Sequence, residues 1–386
     1  MNSTAYINGQ VLTRGQLARG LAIVVNGERI ERLIPQKQAI EEGCTTIDLE
    51  GKTVLPGFID TQVNGGGGVL FNESPDLAGI QTISEAHWQF GTTALLPTLI
   101  SDELDIIRCG ITAVDDAIDQ GVPGVVGIHI EGPFLAHDRR GVHDARKIQQ
   151  LTTGIISELE PARSGKTMLT LAPETVPPEL IRLLTEKGFI VCAGHSNASH
   201  KQVSRAVQSG LRGFTHLYNA MSQLGSREPG MVGAALDEEN TWCGIIADNH
   251  HVSPTALRVA YACKGPGKLM LVTDAMPVVG SGQDEFYLMG KKITVSDGVC
   301  RDPDDTLAGT ALDMASAVRN MMKDTRCNLA EASCMASSTP AAFLSLNGDR
   351  GSIEAGKRAD LVFVDQALNV LTTLIGGKTV YSAQPR

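Results

Sequence analysis

The sequence lacks any arrangement of cysteines that would hold a disulfide framework or a structural zinc ion. Its eight cysteines are scattered along 386 residues, and none of them forms a CxxC pair. Scattered cysteines in a chain of this length are typical of reduced thiols in a protein core. The first ten residues also lack the basic and apolar regions of a secretory signal. We therefore expect a cytoplasmic location and no disulfide bonds.

Long apolar runs and an excess of positive charge are also missing. No uninterrupted apolar stretch reaches the roughly 18 residues that a membrane span needs, so we expect no membrane association. Lys and Arg number 33 against 43 Asp and Glu, which gives a formal net charge of −10. Nucleic acid is therefore not an expected partner, and an anionic substrate would need a local cationic site.

From residue 54 onward the sequence repeats a pattern of short β-rich runs, each followed by a loop and a helix-like stretch. The eight runs cover 54–60, 93–100, 125–132, 168–174, 189–196, 212–220, 242–251 and 268–276. Strands that alternate with helices favour right-handed βαβ crossovers and a parallel sheet. Eight such units predict an α/β fold of the (β/α)8 TIM-barrel type over an open, doubly wound sheet.

The two ends of the chain have a different pattern. Residues 1–53 contain short alternating runs with NG and EG turn signals, and residues 347–386 repeat that style. We predict that both ends pair into one small β-sandwich domain, whereas 54–346 form the barrel. Residues 315–345 have the pattern of helices that close the barrel.

Polar side chains follow most of the predicted barrel strands. They are Asp60, Gln62, Asn64, His129, Glu131, His195, His216, Asp248, His250, His251 and Asp274. Active sites of such barrels are built at the carboxyl ends of the strands, where these residues would meet. Five of the nine histidines lie in these stretches, and His143 lies in the loop after the third strand. The pattern therefore predicts a functional site at one rim of the barrel.

Two imidazoles and one carboxylate on neighbouring strands, His195, His216 and Glu131, suit a divalent ion such as Zn²⁺ or Fe²⁺. Three protein ligands leave a coordination position open, which is typical of a catalytic site. Asp274, at the end of LMLVTD, is well placed to accept a proton from an attacking water and return it to the leaving group. His129 alternates with Glu131, so we expect it to support the ligands from the same face.

Three further histidines and a glycine run receive no functional assignment. His87, His137 and His200 occur in helical or loop context, and we expect them to be solvated. The glycines at 65–68 lack the GK[ST] continuation of a phosphate-binding loop, so we predict a flexible loop there.

Several longer motifs closely resemble those of the N-acetylglucosamine-6-phosphate deacetylases of the amidohydrolase superfamily. They are HIEGPF (129–134), LAPE (171–174), AGHS (193–196), THLYNAM (215–221), REPG (227–230), GIIADNHHV (244–252) and LVTDAM (271–276). The likeness runs from about residue 50 to the C-terminus. Many amidohydrolases carry Asp-x-His-x-His after the first strand, where this chain has Gln62 and Asn64. It therefore resembles the single-metal branch, because amides cannot supply nitrogen donors to a second ion.

The resemblance implies a role for each matching residue. Glu131, His195 and His216 would bind one metal ion, Asp274 would be the general base and acid, and His143 would polarise the acetyl carbonyl. A guanidinium suits a phosphate dianion, and the family implies that Arg227 reaches the neighbouring subunit's site in a homodimer. The implied contacts to a phosphorylated amino sugar are Gln62, His143, Asn219, Ala220, Arg227, His251 and Leu307. Family members often carry serine where Ala308 and Thr310 stand.

The leading hypothesis is hydrolysis of N-acetylglucosamine 6-phosphate to glucosamine 6-phosphate and acetate. The galactosamine epimer is a close alternative that the same scaffold could accept. A cyclic amidase is a second alternative, although such enzymes usually need the strand-1 histidines and a carboxylated lysine between two metals. A non-catalytic scaffold is the third, and the retention of Glu131, His195, His216 and Asp274 argues against it.

Overall fold

The structure is a computed structural model, and it describes residues 3–384. The first segment forms seven strands and one short helix. They are β1 (Thr4–Ile7), β2 (Gln10–Thr13), β3 (Gln16–Arg19), β4 (Leu21–Asn26), β5 (Arg29–Pro35), α1 (Gln36–Glu41), β6 (Thr45–Asp48) and β7 (Thr53–Pro56).

The central segment alternates strands with helices. Its elements are β8 (Phe58–Val63), β9 (Gly65–Gly66), β10 (Val69–Leu70), α2 (Leu77–Trp88), β11 (Thr92–Ile100), α3 (Leu104–Asp119), β12 (Gly127–Glu131), α4 (Thr153–Glu158), β13 (Lys166–Leu171), α5 (Pro178–Glu186), β14 (Ile190–Ala193), α6 (His200–Gln208), β15 (Gly213–Phe214), α7 (Gly230–Asp237), β16 (Trp242–Ile245), α8 (Pro254–Lys264) and β17 (Leu269–Leu271).

Eight of these strands form one parallel sheet in the order β17-β16-β15-β14-β13-β12-β11-β8. A parallel bridge between Val63 and Ala275 joins the two edge strands, so the sheet nearly closes on itself. The predicted (β/α)8 barrel is therefore confirmed. Because the strands are parallel, all their carboxyl ends open on the same rim.

The last segment contains a feature that the sequence pattern did not predict. A four-stranded antiparallel sheet follows the barrel, before three helices and three final strands. The elements are β18 (Glu285–Leu288), β19 (Lys291–Ser296), β20 (Val299–Arg301), β21 (Leu307–Thr310), α9 (Met314–Thr325), α10 (Leu329–Ala336), α11 (Ser338–Phe343), β22 (Leu361–Val364), β23 (Val370–Ile375) and β24 (Lys378–Ser382). Helices α9 to α11 occupy the stretch predicted to be helical.

Both chain ends build the small β domain, as predicted. One sheet has the order β5-β4-β1-β6, and the other has the order β24-β23-β22-β7-β2-β3. Strand β22 from the C-terminal end pairs antiparallel with β7 from the N-terminal end. Apolar side chains from both ends, including Tyr6, Val54 and Phe363, are buried in one core cluster. Over residues 3–384, none of the helices is long and apolar enough to cross a membrane.

The run predicted as one strand over 54–60 is divided between two sheets at Gly57. Strand β7 belongs to the small domain, whereas β8 begins the barrel. A Cβ atom on Gly57 would lie 2.0 Å from Oγ1 of Thr93, which is buried. Only glycine fits this close passage of the backbone from one sheet to the other.

Two predictions near the barrel rim are wrong. His87 is fully buried in α2, and its Nε2 donates to the carbonyl of Gly65 at 3.0 Å, so it is not solvated. Burial lowers the pKa of His87, which favours the neutral ring. The glycine run is not a flexible loop, because β9 and β10 form a packed hairpin. A Cβ on Gly65 would lie 2.4 Å from the carbonyl oxygen of Val69.

Candidate functional site

Three strand ends of the barrel bring Glu131, His195 and His216 together. Glu131 is the last residue of β12, and the histidines follow β14 and β15. All three are buried, and one ligand atom from each lies within 4.8 Å of the others. Oε1 of Glu131 lies 2.8 Å from Nε2 of His216 and 3.1 Å from Nε2 of His195. The two nitrogens are 3.0 Å apart, so the three side chains converge on one point.

The donor set fits a divalent cation. Nδ1 of His195 lies 2.8 Å from the carbonyl oxygen of Arg139, which only accepts, so Nδ1 carries the proton. Nε2 of His195 then presents a lone pair to a carboxylate oxygen, a contact that a cation between them would stabilise. Burial opposes the charge on Glu131, but its close contacts with the rings of His195 and His216 hold its pKa well below its usual range. Within residues 3–384, no second cluster of this kind is found.

Asp274 follows β17 and is held by two amides from the end of strand β8. Its Oδ1 accepts from Nε2 of Gln62 at 3.1 Å and from Nδ2 of Asn64 at 2.6 Å. Nε2 of Gln62 also donates to Oε2 of Glu131 at 3.1 Å. Both amides contact the same oxygen of Asp274, which leaves Oδ2 as the oxygen available to a reacting proton. Burial, and then the charge of Glu131, raise the pKa of Asp274 to about 6.

His143 lies beside the cluster as a neutral ring with a defined tautomer. Its Nδ1 accepts from the backbone N–H of Ser101 at 3.1 Å and lies 2.8 Å from the Ser101 hydroxyl. The proton must therefore be on Nε2. Its ring centroid is 4.6 Å from that of His195. Burial, and then the neighbouring His195, lower the pKa of His143 to about 3, so at neutral pH His143 is a donor from Nε2.

One cavity of about 250 Å³ opens between these groups. It is lined by Asn64, Glu131, His143, His195, His216, Asn219, Ala220, His251, Asp274 and Leu307, together with apolar residues such as Met276 and Leu288. Among the described residues, none of those lining it is Arg or Lys. A larger cavity of about 910 Å³ lies elsewhere, between α9 and the strands β23 and β24, and it contains no histidine.

The backbone at this rim is held in conformations that side chains rarely adopt. His195, His216 and Asp274 have φ values of +49°, +34° and +54°, and Ala220 has a φ of +52°. Non-glycine residues in the left-handed region cost roughly 1–3 kcal/mol each and cluster at functional sites. The strained backbone supports the assignment of a functional site to this rim, because the surrounding structure must hold these residues in an unfavourable conformation.

Two buried groups lie below the cavity. Asp60 accepts hydrogen bonds from the backbone N–H groups of Gln62 and Thr273 and from the Thr273 hydroxyl, which ties β8 to the end of β17. Burial raises the pKa of Asp60 to about 7. His129 contacts Oγ1 of Thr170 at 2.8 Å, and burial lowers its pKa to about 4. Its other ring nitrogen, Nδ1, lies 3.4 Å from Oγ1 of Thr98, so His129 contacts both neighbouring strands and none of the three ligand side chains.

The remaining predicted residues differ in where they lie. Asn219, Ala220, His251 and Leu307 line the cavity, whereas Gln62 lies behind it on Glu131 and Asp274. Arg227 is exposed and does not line this cavity.

Two further residues support the site. Ser101 fixes the His143 ring, and Oδ2 of Asp248 lies 2.6 Å from Nδ1 of His251. No local pattern marks Ser101, which the sequence did not identify. Asp248 was among the polar residues at the predicted strand ends, but its contact with His251 was not predicted, although the spacing in the stretch ADNHH could have indicated it.

Comparison with known proteins gives consistent matches along the chain. A family model described as the amidohydrolase family matches residues 53–380. N-acetylgalactosamine-6-phosphate deacetylase from Shewanella sp. (strain ANA-3) is 44% identical over 379 residues, which cover 97% of this chain and 95% of the relative. N-acetylglucosamine-6-phosphate deacetylase from Haemophilus influenzae is 34% identical over 377 residues, with 97% and 98% covered. The crystal structure of N-acetylglucosamine-6-phosphate deacetylase from Pasteurella multocida matches with a TM-score of 0.95 at 34% identity, with 99% and 100% covered.

Proposed function

Because this chain belongs to the amidohydrolase family, and within it to the amino-sugar-6-phosphate deacetylases, we propose that it hydrolyses the acetamide of N-acetylglucosamine 6-phosphate. The products are glucosamine 6-phosphate and acetate. The observation that carries the proposal is the convergence of Glu131, His195 and His216 beside Asp274 on one cavity. A phosphorylated amino sugar places the protein in amino-sugar metabolism.

Glu131, His195 and His216 would hold one divalent ion, for which we propose Zn²⁺, with Fe²⁺ as the alternative. Two imidazole nitrogens and one carboxylate oxygen are a donor set that both ions accept. When bound, the ion acidifies the attacking water and polarises the acetyl carbonyl. Because Nδ1 of His195 donates its proton to the carbonyl of Arg139, Nε2 would be the nitrogen that binds the ion.

Asp274 transfers a proton in both steps of the reaction, the attack of water and the departure of the amine. Its Oδ1 is occupied by Gln62 and Asn64, so Oδ2 takes the proton from the attacking water. The same proton then passes to the amine nitrogen, because an amide nitrogen leaves poorly until it is protonated. His143 donates from Nε2 to the acetyl oxygen and stabilises the negative charge that develops there.

We propose Asn219, Ala220, Leu307 and His251 as the wall that receives the sugar and its phosphate. Gln62 does not line this wall, and we propose that it acts through its hydrogen bonds to Glu131 and Asp274. No Lys or Arg among the described residues lines this cavity, although Arg140 and Arg146 line an adjoining cavity of about 420 Å³ that shares His143 with it. The family resemblance assigns the phosphate to Arg227. Arg227 is exposed, and the neighbouring Leu224 is 58% exposed, as expected of a loop that contacts a second copy. We therefore propose a homodimer in which Arg227 completes the partner's site.

Mixing two inactive variants tests this arrangement. Arg227→Ala and Asp274→Asn chains, refolded or co-expressed together, should regain activity, because one site of the mixed dimer has both an intact Asp274 and a partner's intact Arg227. No gain over either variant alone would show that Arg227 does not act across the interface. We also propose a cytoplasmic location, which agrees with eight free cysteines in the structure.

The assay for the function measures release of acetate and free amine from purified protein supplied with Zn²⁺. N-acetylgalactosamine 6-phosphate is the second candidate substrate, because the relative that is 44% identical acts, by its name, on that epimer. We expect hydrolysis of at least one epimer and its loss on chelation. The ratio of the two kcat/KM values decides between them. No acetate from either epimer in metal-loaded protein would refute the proposal. A cyclic amidase is disfavoured because no lysine of residues 3–384 lines the cavity.

A further inference from the structure

The LAPE motif at the end of strand β13 (171–174) has no task in the proposed function. Its last residue, Glu174, lies three residues beyond β13 and is half-buried. Among the described residues, none from this strand end lines the cavity of about 250 Å³ that holds the site. A carboxylate at this place therefore has partners other than the substrate.

Both oxygens of Glu174 contact the two residues that directly follow His195. Oε2 accepts from the hydroxyl of Ser196 at 2.6 Å, and Oε1 accepts from the backbone N–H of Asn197 at 2.5 Å. The Ser196 hydroxyl in turn accepts from the backbone N–H of Ala198 at 2.9 Å. Carboxylate oxygens are strong hydrogen-bond acceptors, so one side chain from β13 holds the loop that follows β14.

The same loop also holds the ring of His195. Nδ1 of His195 donates to the carbonyl of Arg139, and Nε of Arg139 donates to Oδ1 of Asn197 at 2.5 Å. Asn197 therefore lies between Glu174, which accepts its backbone N–H, and Arg139, which orients the ring. Glu174 is thus linked to the His195 ring through Asn197 and Arg139.

The backbone of His195 needs support because its φ of +49° is in the left-handed region, which non-glycine residues rarely adopt. The N–H of Ala136, which follows β12, donates to the carbonyl of His195 at 3.0 Å. The N–H of Ser196 donates to the carbonyl of Ala220, which follows β15, at 2.9 Å. Glu174 supplies the hydrogen bonds from β13, the neighbour of β14 on the other side.

We propose that Glu174 is a positioning residue that holds His195 where its Nε2 can bind the metal ion. The inference rests on the proposed function for the presence of that ion. Residues that hold a metal ligand in place typically contribute about 10- to 100-fold to metal affinity. If Glu174 only stabilised the fold, its removal would lower the stability of the whole protein and leave the metal affinity of the folded protein unchanged.

The first test compares Glu174→Gln with Glu174→Ala. Gln keeps an oxygen for the N–H of Asn197, but its NH₂ cannot accept from the Ser196 hydroxyl, and Ala loses both contacts. The Zn²⁺ dissociation constant, measured without substrate against a competing chelator, should rise about tenfold in Glu174→Gln and toward about 100-fold in Glu174→Ala. An unchanged dissociation constant in Glu174→Ala would overturn the proposal.

Asp115→Ala is the matched control. The two oxygens of Asp115 also contact two consecutive residues, because they accept from the backbone N–H groups of Arg163 at 3.1 Å and Ser164 at 2.7 Å. These residues precede β13, so the contact lies at the opposite end of the strand from Glu174. Asp115→Ala should lower the melting temperature and change the Zn²⁺ dissociation constant less than about twofold, because distant sites act independently. Equal losses of Zn²⁺ affinity in Asp115→Ala and Glu174→Ala would refute a positioning role.

A double-mutant cycle with Ser196→Ala tests the contact itself. Ser196→Ala and Glu174→Gln each remove the hydrogen bond between the hydroxyl and Oε2. Glu174→Gln should therefore have almost no further effect on the Zn²⁺ dissociation constant in the Ser196→Ala background, whereas additive losses would contradict the proposal. The cycle decides the point even if Glu174→Ala does not fold.

These measurements separate the inference from the proposed reaction, because no substrate is present. Weaker Zn²⁺ binding in the Glu174 variants supports the inference even if the wild type releases no acetate from either epimer, and that result refutes the reaction alone. Acetate release by the wild type, together with unchanged Zn²⁺ affinity in both variants, refutes the inference alone.

Discussion

The substitution Asp274→Asn should nearly abolish turnover while the fold, the metal and substrate binding remain. The structure predicts how the new side chain would lie. The amides of Gln62 and Asn64 both donate to Oδ1, so the carbonyl of the new amide would take that position. Its NH₂ would then occupy the place of Oδ2, where it can donate but cannot accept a proton. The change removes the base and keeps the shape.

The expected loss follows from the two tasks of this carboxylate. General acid–base catalysis by one positioned group contributes about 10²- to 10⁴-fold. Because Asp274 serves both the attack of water and the departure of the amine, we expect kcat to fall at least about 10³-fold, or about 4 kcal/mol in activation free energy. The pKa of about 6 is close to what a base at neutral pH needs, so nearly all of this contribution is present in the wild type.

The assay measures kcat, metal content and substrate affinity on the same preparation. Asp365→Asn, a change of the same chemistry far from the cavity, controls for loss of a carboxylate in general. Loss of the metal in Asp274→Asn would place Asp274 among the ligands instead. A kcat within about threefold of the wild type would remove it from the mechanism altogether, since the loss of a general base should lower kcat by about 10²-fold or more.

Three further predictions follow from the site and the fold. A base must be ionised, so kcat/KM should fall as the pH drops through the pKa of Asp274. That pKa is about 6 without a metal and would be lower with a cation nearby. An acidic limb of the pH profile with its midpoint above pH 7 would contradict this prediction. Elemental analysis should find one metal ion per subunit, because Gln62 and Asn64 provide no nitrogen ligands, and activity that follows a second equivalent would refute it. Gly57→Ala should lower the free energy of unfolding by about 1–3 kcal/mol, because the new Cβ would clash with the buried Thr93. Calorimetry measures this loss, and Gly267→Ala is the control because a Cβ there meets no atom within 4 Å.

The barrel could be predicted from the sequence because its strands are buried on both faces. Strand β11 is buried at all nine of its positions, and such continuous apolar runs are easily recognised between helices. The four-stranded sheet β18–β21 was missed because its strands are short and partly exposed. In β19 the charged and polar residues of KKITVS hide the pattern, and only Ile293 is fully buried. The break at Gly57 was missed because one apolar run crosses two sheets without a change of composition.

The candidate site could be predicted as a set of residues but not as a set of contacts. The positions after apolar runs identified Glu131, His195, His216 and Asp274, because every parallel strand ends at the same rim. What the sequence could not show is which oxygen of Asp274 is free, or which contact fixes the proton of His143 on Nε2. Those properties come from hydrogen bonds between residues far apart in the chain, such as Ser101 with His143.

Gln62 and Asn64 explain why we expect this site to hold a single metal ion. An amide nitrogen carries protons and no lone pair for a metal, so both side chains must direct N–H groups to an acceptor. Nε2 of Gln62 lies 3.1 Å from both Oε2 of Glu131 and Oδ1 of Asp274, which is the space between two carboxylates where a second cation would be most favourable. The amide takes over part of that cation's role, because it hydrogen-bonds both negative groups. It adds no positive charge, however, so Asp274 keeps a pKa high enough to accept and return a proton. A second metal ion at this position would bind Asp274 as a ligand, whereas the two amides would leave Asp274 able to act as the base that we propose.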